Sequence, residues 1–486
     1  MKIKKILISF LLSASLIFAQ SLSLENAISI ALKNNQRINQ YKERVAQKKF
    51  DDLSALGNFL PKIDLTGSYT HLNDDLSLNL NPIRSAIISM QANTQTEIAN
   101  INSIVATGSP LSDEMRNSIN QQFRSQLGEL FPDLNITFKD QNYLTGTFQV
   151  VQPLFLGGKL IAGKKYSSAE LKAAEYEFKK IENEVITEVF NNYLNVLLLQ
   201  EVVKTREEVL AGMSKHLEQA NRLLKEGVIA NHQALRAEVA VAQAEVNLSE
   251  DKNKLNLAWL ALENSLGIDE NNFNNLSDPL LPIEVYEDES IFVSKAMKKQ
   301  PVLKMLDYKK QAAEQKYNSA RASFLPHLAA FGKYEIYPEY LSAIEPRWAI
   351  GLQLKLNIFN GLKDYMELQS AQHLEKEIDF IRTDMQRKIN LWIHKSLSEL
   401  HNSFDRYKKL ESSLKLAKES LRLNKKRFDT GVGTSLEVID AQLSYENIEL
   451  KRLISLKNIY QSLSDLYLAA GQPWEILNVW NKTELQ

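Results

Sequence analysis

Apolar side chains recur at every seventh residue over two long stretches of the chain. Val189, Val196, Val203, Leu210, Leu217 and Leu224 form the first stripe. Ile393, Leu400, Tyr407, Leu414, Leu421 and Phe428, each 204 residues further on, form the second. A helix with a sustained seven-residue apolar period packs as a left-handed coiled coil. Between Gly158 and Gly227 there is no proline, and the only glycines are Gly163 and Gly212. The spacing predicts one helix of about 68 residues, which at 1.5 Å per residue is about 100 Å long. Shorter helices are predicted over 24–56 and 233–266, and again over 289–323 and 436–470. Two of these laid end to end match one long rod, which suggests a wall of even height made of full rods and stacked half rods.

A period of two intervenes between half rod and full rod. Trp348, Ile350, Leu352, Leu354, Leu356 and Ile358 alternate with Ala349, Gly351, Gln353, Lys355 and Asn357. Leu144, Gly146, Phe148 and Val150 alternate with Tyr143, Thr145, Thr147 and Gln149. Matching strands start after Pro61, with Ile63, Leu65 and Gly67, and after Pro326, over 328–337. Alternation by itself fits a soluble sheet with one buried face as well as a wall between lipid and water.

The pattern is duplicated. Phe59-Leu60-Pro61 recurs as Phe324-Leu325-Pro326 at an offset of 265, which also places Ala31-Leu32-Lys33 on Ala296-Met297-Lys298. Phe155-Leu156-Gly157-Gly158-Lys159 aligns with Phe359-Asn360-Gly361-Leu362-Lys363 at an offset of 204, and so do Gly227-Val228 with Gly431-Val432, Ala237 with Ala441, and Gly267 with Gly471. The 61-residue difference between the offsets marks an insertion in the first repeat at about 73–142, rich in Asn, Gln and Ser. It is expected as a long external loop with short helices over 83–104 and 113–130. The chain thus divides into 1–19, a first repeat over 20–267, a linker over 268–288, a second repeat over 289–471 and a tail over 472–486.

Composition narrows the class. The 17 glycines and 12 prolines make up about 6% of the chain, half the usual share, so turns are few and elements long. Cysteine is absent, which excludes thiol catalysis, disulfides and Cys-ligated metal. A net charge of −1 gives no bulk attraction for nucleic acid. Lys2, Lys4 and Lys5 precede an apolar run over 6–18 and a small residue, Ala19. This is the pattern of a secretory signal peptide cut after Ala19, and the run is too short to span a bilayer as a helix. Export, the external loop and the aromatics Tyr334, Tyr337, Tyr340 and Trp348 near strand ends favour the membrane reading of the strands. Four strands cannot close a barrel, and an open edge cannot face lipid, so a spanning chain must oligomerise. Three copies supply twelve strands.

His394 and His401 lie two helical turns apart without a ligand set around them, and Gly158-Lys159 lacks the rest of a phosphate loop. No catalytic constellation stands out.

The order of half helix, proline, strand pair, Phe-x-Gly, long helix, Gly-Val turn and half helix, all doubled, resembles the TolC-like outer-membrane efflux proteins from about Ser23 to Gly471. Its signatures are the two Phe-Leu-Pro sites, Gln152-Pro153-Leu154-Phe155 with Gly157-Gly158, and Arg427-Phe428-Asp429-Thr430-Gly431-Val432. The resemblance implies an α+β fold: a trimeric helical coiled-coil barrel continuous with a twelve-stranded transmembrane β-barrel. It implies a homotrimer in outer-membrane lipid that reaches into the periplasm, docks to a periplasmic adaptor (membrane fusion) protein and through it serves an inner-membrane pump, with no cofactor and no catalysis. Such a chain is the passive exit duct of a tripartite efflux or type I secretion system. An exported coiled-coil adhesin or a periplasmic scaffold is the alternative.

The same resemblance marks residues. Glu437-Val438-Ile439-Asp440-Ala441 looks like the family segment that lines the periplasmic entrance. Glu437 and Asp440, three apart on one helix face, would form two carboxylate rings that attract cations. Acids also suit a first helical turn for its dipole alone. Gly433 stands where the best-known member has a locking arginine, and Gln233 where it has an acidic partner, so closure must use other contacts. Gly227, Val228, Gly431, Val432, Gly433 and Thr434, at the two tips, are the candidate adaptor contacts.

Overall fold

The computed structural model describes residues 21–483 except 270–272, 274, 284–287 and 343. The signal peptide expected over 1–19 lies outside the described residues. The chain falls into two compact units that cut across the sequence repeats: a helical one (up to 55, Ile161–Ala320 and from Tyr365) and a sheet-bearing one (Leu56–Leu160 and Arg321–Asp364).

The helical unit contains the two rods that the stripes predict, α5 (Lys159–Lys225) and α9 (Lys363–Asp429), each of 67 residues. Val189, Val196, Ile393 and Leu400 are fully buried along them. Towards the end of α5 the most buried positions are Val209, Met213, His216, Ala220 and Leu223, and the predicted Leu210, Leu217 and Leu224 sit at their flank, half-buried. The seam near the tip thus runs one position earlier in each heptad than the predicted stripe.

The half rods after the tips are single helices, α6 (Asn231–Leu266) and α10 (Ser435–Ala469). Those before the prolines are broken, contrary to the expectation of one helix each. α1 (Leu24–Asn34) and α2 (Gln36–Gly57) are separated at Asn35, and α7 (Glu289–Lys299) and α8 (Pro301–Ala322) at Gln300. Both breaks leave the interrupting residue with extended ψ, 128° at Asn35 and 117° at Gln300. At Gln300 the following Pro301 disfavours helical geometry. At Asn35 the side-chain Oδ1 accepts from the Arg37 N–H at 2.9 Å and starts a new helix.

The breaks meet the ends of the other half rods. Asn35 Nδ2 donates to the Ser265 carbonyl at 2.8 Å, and Gln300 Nε2 donates to the Leu468 and Ala469 carbonyls at 3.0 and 2.9 Å. Gly267 and Gly471, both with φ above 70°, lie so close to these breaks that a Cβ would fall 2.7 Å from Asn34 O or from Gln300 Cα. The Ser265 and Ala469 carbonyls, at helix ends where the intrahelical ladder stops, thereby receive a side-chain amide from the broken helix, and Leu468 O accepts the Gly471 N–H as well.

Around these junctions lies the largest core, with Phe190, Tyr193, Phe292 and Tyr460 fully buried. Residues after 471 join it: α11 (Glu475–Thr483) inserts Trp480, whose ring meets Tyr460, Phe190 and Tyr193 at centroid distances of 4.9, 5.8 and 6.3 Å. Asp278 binds this core together. Its carboxylate accepts from Leu24 N, Tyr193 Oη and Trp480 Nε1.

The sheet-bearing unit holds a four-stranded antiparallel sheet in the order β1–β4–β5–β6, formed by β1 (Lys62–His71), β4 (Asn142–Leu156), β5 (His327–Glu335) and β6 (Trp348–Lys355). Its register stacks like with like. Ile63 pairs with Val150, Leu65 with Phe148, Tyr69 with Leu144, Tyr334 with Trp348, and Leu328 with Leu354, all on one face. The opposite face carries pairs such as Asp64 with Gln149, Ser68 with Thr145, and Lys333 with Ala349. On the apolar face Ile350, Leu352 and Leu354 are 77, 68 and 69% exposed. Tyr337 covers Gly146 there, leaving no room for a Cβ.

The insertion is built rather than loop-like. A second antiparallel pair, β2 (Leu76–Asn79) with β3 (Asn135–Lys139), carries an αα-hairpin of α3 (Asn81–Thr107) and α4 (Asp113–Leu130). The two helices match those expected, and the strand pair escaped the sequence because its segments span only four and five residues. No helix among the described residues is long and apolar enough to cross a membrane.

Candidate functional site: the paired helix tips

The two predicted tips lie against each other. At each, a glycine in the left-handed region ends the rod, Gly227 with φ 74° and Gly431 with φ 74°. Val228 N donates to Leu223 O at 2.9 Å and Val432 N to Arg427 O at 3.0 Å, closing equivalent turns on orphan carbonyls. A Val228 methyl would lie 3.3 Å from a Cβ on Gly431, so the turns touch, while Val228 and Val432 remain 53 and 74% exposed. Gly433 lacks positive φ but packs against the Phe428 and Arg427 backbone, where a Cβ would sit at 3.0–3.1 Å.

The acids have unequal surroundings. Thr434 and Glu437 form a capping box: Thr434 Oγ1 accepts from Glu437 N at 3.3 Å, and Glu437 Oε2 accepts from Thr434 N at 2.9 Å. Glu437 also lies 3.6 Å from the Arg427 guanidinium. Asp440 is exposed and has no hydrogen-bond or ion-pair partner among the described residues. The two share a helix, yet Glu437 is engaged in the local turn and Asp440 is free.

Contacts that hold the two repeats together surround the tips, and sequence reasoning did not find them. Gln233 Oε1 accepts from the Ser435 N–H at 3.3 Å, so one repeat satisfies the first amide of the other's half rod. Ser435 is fully buried, and its hydroxyl shares a 2.8 Å hydrogen bond with His216 Nε2. The His216 ring rests on Phe428 at 4.6 Å. Burial first, and then the Lys425 ammonium, push the His216 pKa down to about 4, against a smaller opposing effect of Asp429. The imidazole is therefore neutral at physiological pH. About three helical turns further back, Arg206 on α5 reaches Asp251 on α6 at 2.7 Å and Glu446 on α10. Asp251 also takes Lys254 at 2.7 Å, and both acids are only 4% exposed. No sequence signal points to His216, which lies beside the predicted stripe residue Leu217 rather than on the stripe.

Between these contacts α5, α6 and α10 leave an open apolar groove of about 580 Å³ lined by Met213, Leu235, Val239, Leu436, Ile439 and Leu443. Nothing in the tips resembles a reaction centre: the groups are cap, turn and ion-pair residues. Among the described residues no cluster of metal-ligating side chains occurs.

Comparison with known proteins agrees with this geometry. The model of the outer membrane efflux protein family matches residues 114–268 and 292–472, one match per repeat and well over half of the chain. No curated protein matches. Among solved structures, the outer membrane protein VceC from Vibrio cholerae superposes with a TM-score of 0.70 at 17% identity, covering 92% of this chain and 96% of that one. The CmeC outer membrane channel of Campylobacter jejuni gives 0.70 at 16% identity over 95% and 89%. The open state of the Neisseria gonorrhoeae MtrE outer membrane channel gives 0.66 at 17% over 93% and 89%. With the family matched in both repeats and the fold shared along nearly the whole length, the chain belongs to the outer membrane efflux protein family, as an outer-membrane channel protein and not an enzyme.

Proposed function

We propose that three copies of this chain form the passive exit duct of a tripartite efflux or type I secretion system, receiving substrate from an inner-membrane pump through a periplasmic adaptor. The observation that carries the reading is the open four-stranded sheet. It has one continuous apolar face and one polar face, and among the described residues both its edge strands, β1 and β6, lack an outer neighbour. Lipid on the apolar face forbids unpaired edge amides, so β1 of one copy must pair with β6 of the next. Three copies close a barrel of twelve strands around a polar lumen.

The tips suit the adaptor end of such a duct. Val228 and Val432 project from turns whose backbone is uncovered at Gly227 and Gly431, and Gly433 and Thr434 complete the second turn. Small residues and exposed valines offer a shallow apolar surface for a partner hairpin. Above them, Glu437 and Asp440 repeated three times make the acidic entrance ring, with Asp440 carrying the unneutralised charge.

Mass measurement of the detergent-extracted membrane protein tests the assembly. A stable trimer recovered from the outer-membrane fraction is the expected result. A folded monomer in detergent, or recovery from the soluble periplasm, overturns it.

A further inference from the structure

α3 is apolar on two opposite sides, and only one of them is used. Ile88, Ala92, Thr96 and Asn100 are buried against α4. On the far side Ile83, Ile87, Met90, Ile98, Ile101 and Val105 are exposed, Met90 at 64% and Val105 at 82%. With Thr94 they follow the spacing 4-3-4 twice over, an eleven-residue repeat that holds a narrow stripe almost straight along about 33 Å of helix. At 3.6 residues per turn the stripe lies about opposite the α4-facing side.

We propose that this stripe is the seam along which the α3 helices of three copies pack into a bundle outside the membrane, at the outer end of the duct. The inference rests on the trimeric reading above.

The choice of occupant follows from the chemistry of the helix. A helix lying on a lipid surface carries a broad apolar face flanked by cations. α3 has a narrow stripe, and its only cation, Arg84, is engaged by the Phe131 and Gly128 carbonyls at 2.8 and 2.6 Å. Its only acid, Glu97, is held by Arg116 of α4 at 2.8 Å. No charge therefore stands on the stripe. β-branched isoleucine at successive seam positions favours three or more helices over two.

Continuity with the barrel supplies the partner. The hairpin leaves the sheet through β2 from β1 and returns through β3 to β4, and β1 is an edge strand that the next copy must cover. Its root is braced. Lys139 at the end of β3 pairs with Glu345 at 3.1 Å and lies over the rings of Tyr143 and Tyr340, which stack on each other. Closing the barrel thus brings three such hairpins to one mouth, where even weak pairwise contacts act at high effective concentration.

The chain has no cysteine, so single replacements report cleanly. Ile98→Cys and Met90→Cys, purified in detergent and oxidised mildly, should each yield disulfide-linked pairs within an intact trimer, since seam positions approach to the about 4.4–6.8 Å that a disulfide spans between Cα atoms. Ser118→Cys, exposed on α4, should stay unlinked. A trimer in which Ile98→Cys and Met90→Cys link no better than Ser118→Cys overturns the seam and leaves the assembly standing. The seam is also overturned if those two thiols are unlinked and escape a water-soluble maleimide only in vesicles containing lipopolysaccharide, which assigns the stripe to lipid. A monomer by mass overturns the assembly and the seam with it.

Discussion

At the scale of the residue, His216 shows how a polar group in an apolar seam becomes a condition on stability. Its imidazole is buried between α5, Phe428 and Ser435, with Lys425 and Asp429 of α9 and Lys215 of its own helix as the charges near it. The folded chain holds it neutral down to about pH 4, whereas an unfolded chain binds the proton near the ordinary value of 6.5. Below pH 6.5 the unfolded state therefore takes up more protons, so stability is full above 6.5 and falls as pH drops towards 4. His216→Gln, which keeps a hydrogen-bonding group for Ser435 and cannot titrate, should flatten this part of the curve. The thermal unfolding midpoint of the wild type and variant between pH 7 and about pH 4 checks it; equal slopes would show that other groups set the acid sensitivity. Leu362 is the other residue of note. It occupies with φ 64° the place where the first repeat has Gly158, a conformation that strains any residue with a Cβ.

At the scale of the element, the repeats place helix breaks where a neighbouring helix needs a cap. Asn35 and Gln300 are 265 residues apart, the offset of the proline sites, and each offers its amide to the last carbonyls of a half rod. Gln300→Ala should leave the buried Ala469 carbonyl without this donor, while Leu468 O keeps the Gly471 N–H at 2.9 Å. A loss of about 1–3 kcal/mol is expected for an orphaned buried group. Denaturant unfolding at fixed detergent measures it, and a change within error would mean that another donor reaches the Ala469 carbonyl. The Phe-Leu-Pro duplication revealed that the two half rods correspond. At Asn35 it did not reveal the interruption, because one amide side chain looks like any surface residue until its partner is known, whereas at Gln300 the following Pro301 is a legible signal for the break.

At the scale of the whole molecule, charge at the entrance depends on having three copies. Glu437 is partly spoken for by its capping box and by Arg427, and Asp440 is not. In the trimer proposed here, Asp440→Asn should therefore reduce cation selectivity at low salt more than Glu437→Gln, which keeps an oxygen for the Thr434 N–H. Reversal potentials in planar bilayers at about 0.1 M salt or below, where screening is weak, decide it. Equal or absent effects would reduce both acids to an ordinary helix start.

Much of this protein is settled by local pattern. Rod length follows from 67 residues without proline, the tips from glycines that alone tolerate positive φ cheaply, and the two-faced sheet from strict alternation of side chains. Each depends on neighbours in sequence, so sequence sufficed. The pairing order β1–β4–β5–β6, the Asp278 node joining Leu24, Tyr193 and Trp480, the Arg206 link to Asp251 and Glu446, and the His216–Ser435 contact join residues tens to hundreds of positions apart. No periodicity records which polar side chain will face which across a packed seam. That is decided only when the helices come together, because a buried donor or acceptor must find its partner in space.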